Sequence, residues 1–381
     1  MGTQCGFSAH CGRGTTPRLD ARMRIALVTD AWQPQVNGVV RTLQTTLAHL
    51  TSLGHTVLAI TPLDFRTMAC PTYPSIRLAL WPGRGVAKRL AAFQPEAIHI
   101  ATEGPLGHAA RRYCLRHRRP FTTSFHTQFP EYLRLRMPIP LHWTYRYLRW
   151  FHGAAVRTLV PTPTQRDHLL ARGFQNLHVW SRGVDLEVFN PTDPIDYASE
   201  YALLQPIAIY MGRVAVEKNI EAFLQLPGAH HKVVIGEGPD LLRLRAKYPR
   251  CLFLGPRYGR DLAQHLAGGD VFVFPSRTDT FGLVLLEAMA CGLPVAAYPV
   301  QGPVDVVTPG ETGVLDEDLG RALEQALGLS RQACRALAAR YSWRSCTADF
   351  FGYLAPEHAG PTAQGADLKR AYDPPAALPR V

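Results

Sequence analysis

Short runs of apolar residues alternate along the chain with segments in which apolar residues recur every three or four positions. The first run, IALVTD, starts at Ile25 and has the pattern of a buried strand. It is followed by VVRTLQTTLAHLTSLG, an amphipathic helical pattern closed by Gly54, and by the strand-like HTVLAITP. This order predicts a βαβ unit in a parallel sheet with helices on both faces.

The same alternation continues and then repeats after a break. The strand patterns AIHIAT, FTTSFHT and TLVPT follow in the first part, with a helical pattern over PLGHAARRYCLRH. The stretch PTDPIDY then has the turn-forming composition of a linker. Beyond it come IAIYMG, HKVVIGEGP, CLFLG, DVFVFPS and PVAAY, separated by helical patterns and closed by SWRSCTADFFGYL. The chain is therefore predicted to have an α/β fold of two tandem Rossmann-like domains with a cleft between them.

The predicted domain boundaries follow from these patterns. Residues 23–185 are predicted to form an N-terminal Rossmann-like domain, and residues 186–355 a C-terminal Rossmann-like domain whose last helix packs back on the first. Residues 1–22 lack apolar periodicity and are expected to be a disordered extension, or to precede a true start at Met23. Residues 356–381 are rich in Pro and Ala and are expected to be a disordered tail.

Composition narrows the class of protein. Of 381 residues, 46% are hydrophobic and 19% charged, which is typical of packed globular proteins rather than disordered chains. The net charge of +11 favours anionic partners such as phosphorylated metabolites, nucleic acid or an acidic membrane. No apolar stretch approaches the roughly 20 residues of a membrane-spanning helix, and the eight cysteines form no CxxC pair. We predict a cytoplasmic protein that also works at the inner face of the membrane.

In doubly wound folds, ligands bind at the carboxyl ends of strands, so the loops there are informative. The loop AWQPQVNGVV places Gly38 at a helix start, where free N–H groups favour a phosphate or sugar oxygen, although Asn-Gly is also a common turn. The loop YMGRVAVEKN carries Arg213 and Lys218. Cations oppose the dipole at a helix start, so their presence there favours binding of a diphosphate over a structural role.

A third loop, SRTDTFGLVLLEAMACG, combines two carboxylates with exposed backbone groups at a helix start. Asp279 and Glu287 are eight residues apart, and the backbone of Phe281, Gly282 and Leu283 lies between them. Ionised carboxylates accept several strong hydrogen bonds, which suits the hydroxyls of a sugar and a ribose.

Two further segments belong to the N-terminal domain. His126, in SFHTQFPEY, follows a buried strand and is expected to face the cleft, although a lone histidine is more often structural. Between Arg111 and Trp150, arginines are interleaved among Leu, Trp and Tyr. This mixture fits a surface that meets anionic lipid; the alternative is a solvated helix face with the aromatic rings in the core.

Four motifs together resemble the retaining glycosyltransferases of family 4, which have the GT-B fold. They are GRVAVEKN, GEGP at residues 236–239, FPSRTDTFGLVLLEAMACGLPV, and RGVDLEVFNP at residues 182–191. The resemblance covers residues 23–354. It is strongest to the mannosyl- and sulfoquinovosyl-type lipid glycosyltransferases.

The resemblance implies that residues 186–355 form the nucleotide-sugar-binding domain and residues 23–185 the acceptor-side domain. It also implies roles for the residues in the C-terminal loops. Arg213 and Lys218 would bind the donor diphosphate, and Glu287 the nucleotide ribose. Asp279 and the backbone of residues 281–283 would hold the transferred sugar. The family usually has glutamate where Asp279 stands, so the sugar contacts are expected to shift by one methylene.

The resemblance also implies the chemistry. His126 and the Gly38 loop would complete the site from the N-terminal domain, and the catalytic set would be His126, Arg213, Lys218 and Asp279. A mannose- or glucose-type hexosyl group would move with retention from a GDP- or UDP-linked donor to a hydroxyl of a membrane lipid or lipid-linked glycan. We expect no cofactor and no metal, because two cations replace it at the diphosphate.

The same patterns are compatible with other classes of protein. A GT-B-fold nucleotide-sugar epimerase, a sugar phosphorylase or a non-catalytic nucleotide-sugar-binding protein would share the two domains. A phosphorylase would need a pyridoxal-phosphate lysine, for which there is no motif. A nucleic-acid-binding protein is disfavoured because no recognition motif accompanies the positive charge. A dinucleotide-dependent oxidoreductase is disfavoured because the first loop lacks G-x-G-x-x-G.

Overall fold

A computed structural model describes most of the chain. The described residues are 22–35, 37–70, 73–126 and 140–355. The predicted N-terminal extension, apart from Arg22, and the predicted tail both lie outside the described residues.

The N-terminal half is built on a parallel sheet. Its strands, in chain order, are β1 Arg24–Val28, β2 Thr56–Ile60, β3 Thr67–Cys70, β4 Tyr73–Ala79, β5 Ala97–Ile100, β6 Thr122–Ser124, β7 Arg157–Val160 and β8 Leu177–Val179. The main sheet has the order β2-β1-β5-β6-β7-β8, with all neighbours parallel. β3 and β4 form a separate antiparallel hairpin that the apolar pattern did not predict.

Helices cover both faces of this sheet. They are α1 Gly38–Ser52, α2 Gly83–Phe93, α3 Pro105–Arg116, α4 Leu141–His152 and α5 Pro163–Leu170, with a 3-10 turn at Pro62–Asp64. The longest of these, α1, begins where predicted because the Asn37 side chain accepts a hydrogen bond from the Val40 N–H. This bond satisfies one of the N–H groups that a helix leaves free at its start.

The C-terminal half repeats the architecture. Its strands are β9 Ile207–Met211, β10 His231–Ile235, β11 Leu252–Gly255, β12 Val271–Phe274, β13 Val295–Ala297 and β14 Gly313–Leu315. They form a parallel sheet in the order β11-β10-β9-β12-β13-β14. The central strands read as continuous apolar runs because helices bury both faces of the sheet.

Helices again lie on both faces. They are α6 Tyr197–Tyr201, α7 Ile220–Leu224, α8 Leu241–Lys247, α9 Gly259–Ala267, α10 Leu283–Ala290, α11 Pro303–Val306, α12 Leu319–Ala326, α13 Arg331–Ala338 and α14 Trp343–Tyr353, with a 3-10 turn at Val216–Lys218. The predicted fold class, two Rossmann-like α/β halves, is confirmed.

The last helix, α14, returns to the N-terminal half. Phe350 is fully buried there. Trp180 donates its indole N–H to the carbonyl of Cys346 at 3.0 Å, and Arg157 donates to the carbonyl of Tyr353 at 2.9 Å. This helix therefore ties the end of the described chain to the sheet in which it began.

Strand order determines where a ligand can bind. In the N-terminal sheet, β2 lies on one side of β1 and β5 on the other, so the order in which successive strands are added reverses between β1 and β5. The C-terminal sheet has the same reversal between β9 and β12. Ligands of doubly wound folds occupy the crevice at such a switch point, at the carboxyl ends of the strands. The loops after β1, β9 and β12 are the loops that carry Gly38, Arg213 and Asp279.

Candidate functional site

The loops at the carboxyl ends of the two sheets meet in a cleft between the halves. A Cβ added to Gly38 would lie 3.3 Å from Leu283 Cδ1, so the starts of α1 and α10 face each other closely. The Thr280 hydroxyl donates to the carbonyl of His126 at 2.7 Å across the same cleft. The tertiary structure thus brings together N-terminal and C-terminal candidates that lie more than 150 residues apart.

Arg213 lies on a loop that is held by glycine packing. Gly236 has a φ of +141°, and a Cβ there would lie only 1.9 Å from the carbonyl oxygen of Gly212. A Cβ on Gly238 would lie 2.2 Å from the carbonyl oxygen of Val214, and the Val214 N–H donates to the carbonyl of Glu237 at 2.8 Å. Because backbone meets backbone here, no side chain fits at either glycine. The GEGP motif therefore fixes the loop that follows β9.

The Arg213 side chain is partly buried. Burial lowers the pKa of Arg213 below its ordinary value, and the carboxylates of Glu217 and Glu237 oppose that shift. An arginine remains charged at neutral pH even after such a shift. It is therefore a partly desolvated cation on the loop that follows β9.

Lys218 and Asp279 form an ion pair between the loops after β9 and β12. Lys218 Nζ lies 2.5 Å from Asp279 Oδ1, and each side chain keeps only about a fifth of its surface exposed, 20% and 18%. The neighbouring Asn219, at a φ of +52°, donates to the carbonyl of Pro275 at 3.1 Å and so joins the two loops. Asp279 Oδ2 is buried and has no hydrogen-bond partner among the described residues. It is an acceptor available to a ligand hydroxyl.

The start of α10 is shaped by two glycines. Gly282 precedes the helix at a φ of +82°, a left-handed conformation that favours glycine. A Cβ on Gly302 would lie 3.1 Å from the carbonyl oxygen of Phe281 and 3.2 Å from that of Asp279. Phe281 itself is buried and packs edge-on against Tyr341. The helix begins at Leu283, one residue after the predicted position, and its first N–H groups face the cleft with the positive end of the helix dipole.

Glu287 is buried within α10, with 5% of its surface exposed, as its apolar neighbours predicted. Its carboxylate pairs with the guanidinium of Arg41, which crosses the cleft from the first turn of α1 and lies 5.3 Å above the Phe189 ring. Burial raises the pKa of Glu287 and Arg41 lowers it. Sequence reasoning missed Arg41. The signal was present, because Arg41 is a cation at a helix start, like Lys218.

His126 lies at the end of β6 against the linker between the halves. Its Nδ1 is 3.2 Å from an Nη of Arg182, and its Nε2 is buried without a partner in the described ranges. Burial lowers the pKa of His126 well below its usual value, and Arg182, His99 and His152 lower it further. The ring is therefore neutral at pH 7. Arg182 was also missed, although it stands in the quoted RGVDLEVFNP motif.

A second polar cluster lies at the N-terminal side of the cleft, where the sequence suggested nothing. The Asp30 carboxylate accepts from the N–H groups of Leu106 and Gly107 at the start of α3, at 2.9 and 3.3 Å. Burial raises the pKa of Asp30 to about 6, against the lowering effect of those hydrogen bonds. Nearby, Glu103 Oε1 lies 3.1 Å from His152 Nε2. These carboxylates lie on the half expected to hold the acceptor.

The described part of the predicted basic surface is mixed. In α4, Tyr145 and Phe151 are buried whereas Trp143 and Trp150 are about half exposed. Arg111 is buried beneath the Trp150 ring at 4.0 Å. Some aromatic rings of this segment are therefore core and others are surface, and contact with anionic lipid stays a prediction. Residues 127–139 of this segment lie outside the described residues.

Two features of the described ranges concern metal binding and membrane insertion. Within those ranges, no group of three or more His, Cys, Asp and Glu side chains is arranged to hold a metal ion. In the same part of the chain, no helix combines the length and apolar character needed to cross a bilayer. Metal independence stays a prediction.

The chain matches models of known protein families over most of its length. The model described as Glycosyltransferase Family 4 matches residues 36–188, and that described as Glycosyl transferases group 1 matches residues 205–329. These two matches cover the N-terminal and C-terminal halves in turn.

Individual relatives agree with the family models. A GDP-mannose-dependent alpha-mannosyltransferase of Mycobacterium tuberculosis is 33% identical over 324 residues, covering 77% of this chain and 83% of that protein. The sulfoquinovosyl transferase SQD2 of Arabidopsis thaliana is 31% identical over 358 residues, covering 82% and 69%. The solved sucrose-phosphate synthase of Thermosynechococcus elongatus shares the fold, with a TM-score of 0.68, 21% identity, and coverage of 87% and 98%.

Proposed function

The chain belongs to glycosyltransferase family 4 and is a nucleotide-sugar-dependent retaining glycosyltransferase, and we propose that it transfers mannose from GDP-mannose to a lipid headgroup or lipid-linked glycan at the inner face of the membrane. One observation carries the choice of donor. Relatives from three bacteria, at 29 to 33% identity, are GDP-mannose-dependent alpha-mannosyltransferases.

The diphosphate of the donor would lie between the starts of α1 and α10. These helix starts face each other at Gly38 and Leu283, and both present positive dipole ends to the cleft. Arg213 and Lys218 approach the same space from the loop after β9. Preorganised positive charge of this kind stabilises the leaving diphosphate as negative charge develops on it. This is the reason for proposing that no metal is needed.

The sugars of the donor would occupy the buried acceptors. Glu287 offers a carboxylate to the ribose hydroxyls once Arg41 has moved aside. Asp279 Oδ2 and the backbone of residues 281–283 would hold hydroxyls of the mannose. His126, whose carbonyl contacts Thr280 beside Asp279, would donate to the same sugar from the N-terminal half.

Retention by double displacement would need a protein nucleophile, and we assign none among the described residues of the cleft. Asp279 is committed to Lys218, and Glu287 to the ribose. We therefore propose front-face attack, in which the acceptor oxygen bonds to the anomeric carbon as the bond from that carbon to the diphosphate oxygen breaks. The departing phosphate oxygen takes the acceptor proton, so charge and atoms balance without a protein base.

A basic, aromatic surface supports a lipid acceptor. α2, α3 and α4 pack on the same face of the N-terminal sheet, because their apolar residues share one core cluster. Their outer positions carry exposed cations: Arg84, Lys88, Arg112, Arg116, Arg146 and Arg149. Trp81, just before α2, is 95% exposed, and Trp143 and Trp150 are 57% and 54% exposed. Aromatic rings meet lipid headgroups and cations meet their phosphates.

A thermal-shift screen tests the donor. GDP, UDP, ADP and their mannose and glucose derivatives would each be added to the full chain at matched concentrations. A ligand at 100 times its dissociation constant adds about 2.7 kcal/mol to the free energy of unfolding. GDP and GDP-mannose are expected to shift the transition, and transfer of labelled mannose from GDP-mannose to a lipid extract is expected to follow. A shift by UDP alone would overturn the mannosyl donor while leaving the family intact.

Vesicle co-sedimentation tests the acceptor side separately. The protein is expected to pellet with vesicles that contain phosphatidylglycerol, more strongly at low salt than at physiological salt, because screening weakens charge attraction. Trp143→Ser should reduce the pelleted fraction, whereas Leu242→Ser, an exposed position on the other half, should not. No binding at either salt concentration would overturn membrane association.

A further inference from the structure

Arg182 is a buried cation whose partners are all uncharged. It has 5% of its surface exposed and lies in the segment that links the two halves. One Nη donates to the carbonyls of Trp180 at 2.6 Å and Ser181 at 2.9 Å, and the guanidinium stacks 4.5 Å from the Trp180 ring. In the described ranges no carboxylate forms an ion pair with it. Burying a charge without a counter-ion costs free energy, so such a residue needs a reason to be there.

The remaining Nη of Arg182 is directed at His126. It lies 3.2 Å from His126 Nδ1. A guanidinium has only donors and no acceptor, so Nδ1 must supply a lone pair and cannot carry a proton. A neutral imidazole has one proton, which is then on Nε2. This nitrogen is buried with no hydrogen-bond partner among the residues that the structure describes.

We propose that Arg182 is a positioning residue that holds His126 with its proton on Nε2, as a hydrogen-bond donor for the sugar in the cleft. The inference rests on the proposed glycosyl transfer for its kinetic consequence, but the tautomer is a property of the free protein. It assigns His126 a donor role and excludes it as a general base, because its only lone pair is occupied by Arg182. The free energy that is lost by burying the Arg182 charge is then offset by the correct orientation of the His126 ring.

Several groups surround the His126 ring and influence its protonation. Arg182 contacts Nδ1, and His99 and His152 are the neighbouring ionisable groups of the same half. The Trp180 ring lies 5.8 Å away, centroid to centroid, and Thr280 contacts the backbone carbonyl of His126 from the other half. All the charged or ionisable neighbours named here are cationic when protonated, so they favour the neutral ring.

The first test needs no variant of Arg182. The full chain is labelled with 15N-histidine, and a long-range 1H–15N spectrum separates protonated from unprotonated ring nitrogens; His126→Gln assigns the signal. The expected result at pH 7 is a neutral His126 with Nε2 protonated. An Nδ1-protonated ring or an imidazolium would overturn the proposal, whether or not the protein transfers mannose.

The second test measures transfer in variants. Arg182→Met is expected to lower kcat about tenfold, since small misplacement of a catalytic group costs up to about a hundredfold. Arg182→Lys, which can still donate to Nδ1, should recover most of the loss. In a His126→Ala background, Arg182→Met should change kcat by less than about twofold, because the group it positions is gone.

The control is Arg157→Met, which removes a partly buried arginine that also donates to backbone carbonyls, at Tyr353 and Leu354, away from the cleft. It is expected to lower stability and leave kcat unchanged. If Arg182→Met reduces kcat equally with and without His126, Arg182 is only structural and the proposal fails. If Arg182→Met does not fold, the spectrum of the unmodified chain still decides.

Discussion

Replacing Lys218 with alanine removes the cation whose Nζ lies 2.5 Å from Asp279 Oδ1. Two effects follow from the structure. In the proposed transfer, the leaving diphosphate would lose a positive charge that stabilises it in the transition state. Asp279 would be left as a carboxylate with 18% of its side chain exposed and no cation at Oδ1. The first effect acts on turnover and the second on stability, so they can be measured separately.

The size of each effect can be set from this geometry. Removing one preorganised donor from a transition-state site costs about a hundred- to a thousandfold in kcat. A hundredfold loss corresponds to about 2.7 kcal/mol of transition-state stabilisation. Breaking a fully buried ion pair costs about 3–5 kcal/mol of stability. Because both side chains here keep about a fifth of their surface in water, we expect about 1–2 kcal/mol for Lys218→Ala.

The assay is release of nucleoside diphosphate from GDP-mannose in the presence of acceptor, with stability followed by urea unfolding. Lys218→Ala should lower kcat at least about a hundredfold while the protein stays folded. Asp279→Asn in addition should restore part of the lost stability, because no buried charge is then left unpaired, but should restore no activity.

The matched control is Lys247→Ala in the same half. Lys247 also pairs with a carboxylate, that of Glu221, but its side chain is 54% exposed and lies on α8. Its loss should change kcat by less than twofold. A drop under about threefold for Lys218→Ala would remove Lys218 from the site and refute the reasoning that assigns the diphosphate to this loop.

Further outcomes are expected from the same geometry. Arg41→Ala should tighten GDP binding about two- to fivefold by calorimetry, because the nucleotide ribose no longer competes with a partly exposed guanidinium for the carboxylate; a tenfold weakening would instead mean that Arg41 contacts the nucleotide. Glu287→Gln should weaken GDP binding about tenfold, the scale of a lost charge-assisted hydrogen bond, and unchanged affinity would exclude it from the ribose site. Burial lowers the pKa of His99 to about 3, so the unfolded chain binds more protons below pH 6.5 and stability is lost as pH falls. Urea unfolding should therefore show that His99 contributes about 2 kcal/mol less to stability at pH 5 than at pH 7.5. The control variant His117→Gln, at an exposed position, should show the same loss. Chelator should leave transfer unchanged, and activity lost with chelator and restored by Mn²⁺ would contradict metal independence.

Much of the fold could be predicted from the local pattern of apolar and turn-forming residues. The apolar runs ending at Val28, Met211 and Phe274 predicted strands because a strand buried on both faces must be apolar throughout. Asn37 and Gly282 marked helix starts, and the structure places the helices within one residue of them. The β3–β4 hairpin was missed, because its two short strands lie outside the main sheet and do not show the apolar pattern of the strands in that sheet.

The sequence predicted candidate site residues only where those residues lie on the same loop. Arg213 and Lys218, five residues apart, and Asp279 and Glu287, eight apart, were found from spacing after predicted strands. Arg41 and Arg182 were not found. Each acts on a partner distant in sequence, and a pattern with a period of two or 3.6 residues carries no information about such contacts.

By itself, the sequence determined the α/β class, the positions of the strands and helix starts, and the loops that carry charge, since these follow from burial periods and turn chemistry within a few residues. Only the tertiary structure decided that Arg41 reaches Glu287, that Arg182 contacts His126, and that Lys218 neutralises Asp279. Those pairings depend on strand order within each sheet and on how the two halves meet. Both are set by the packing of surfaces that no single segment contains.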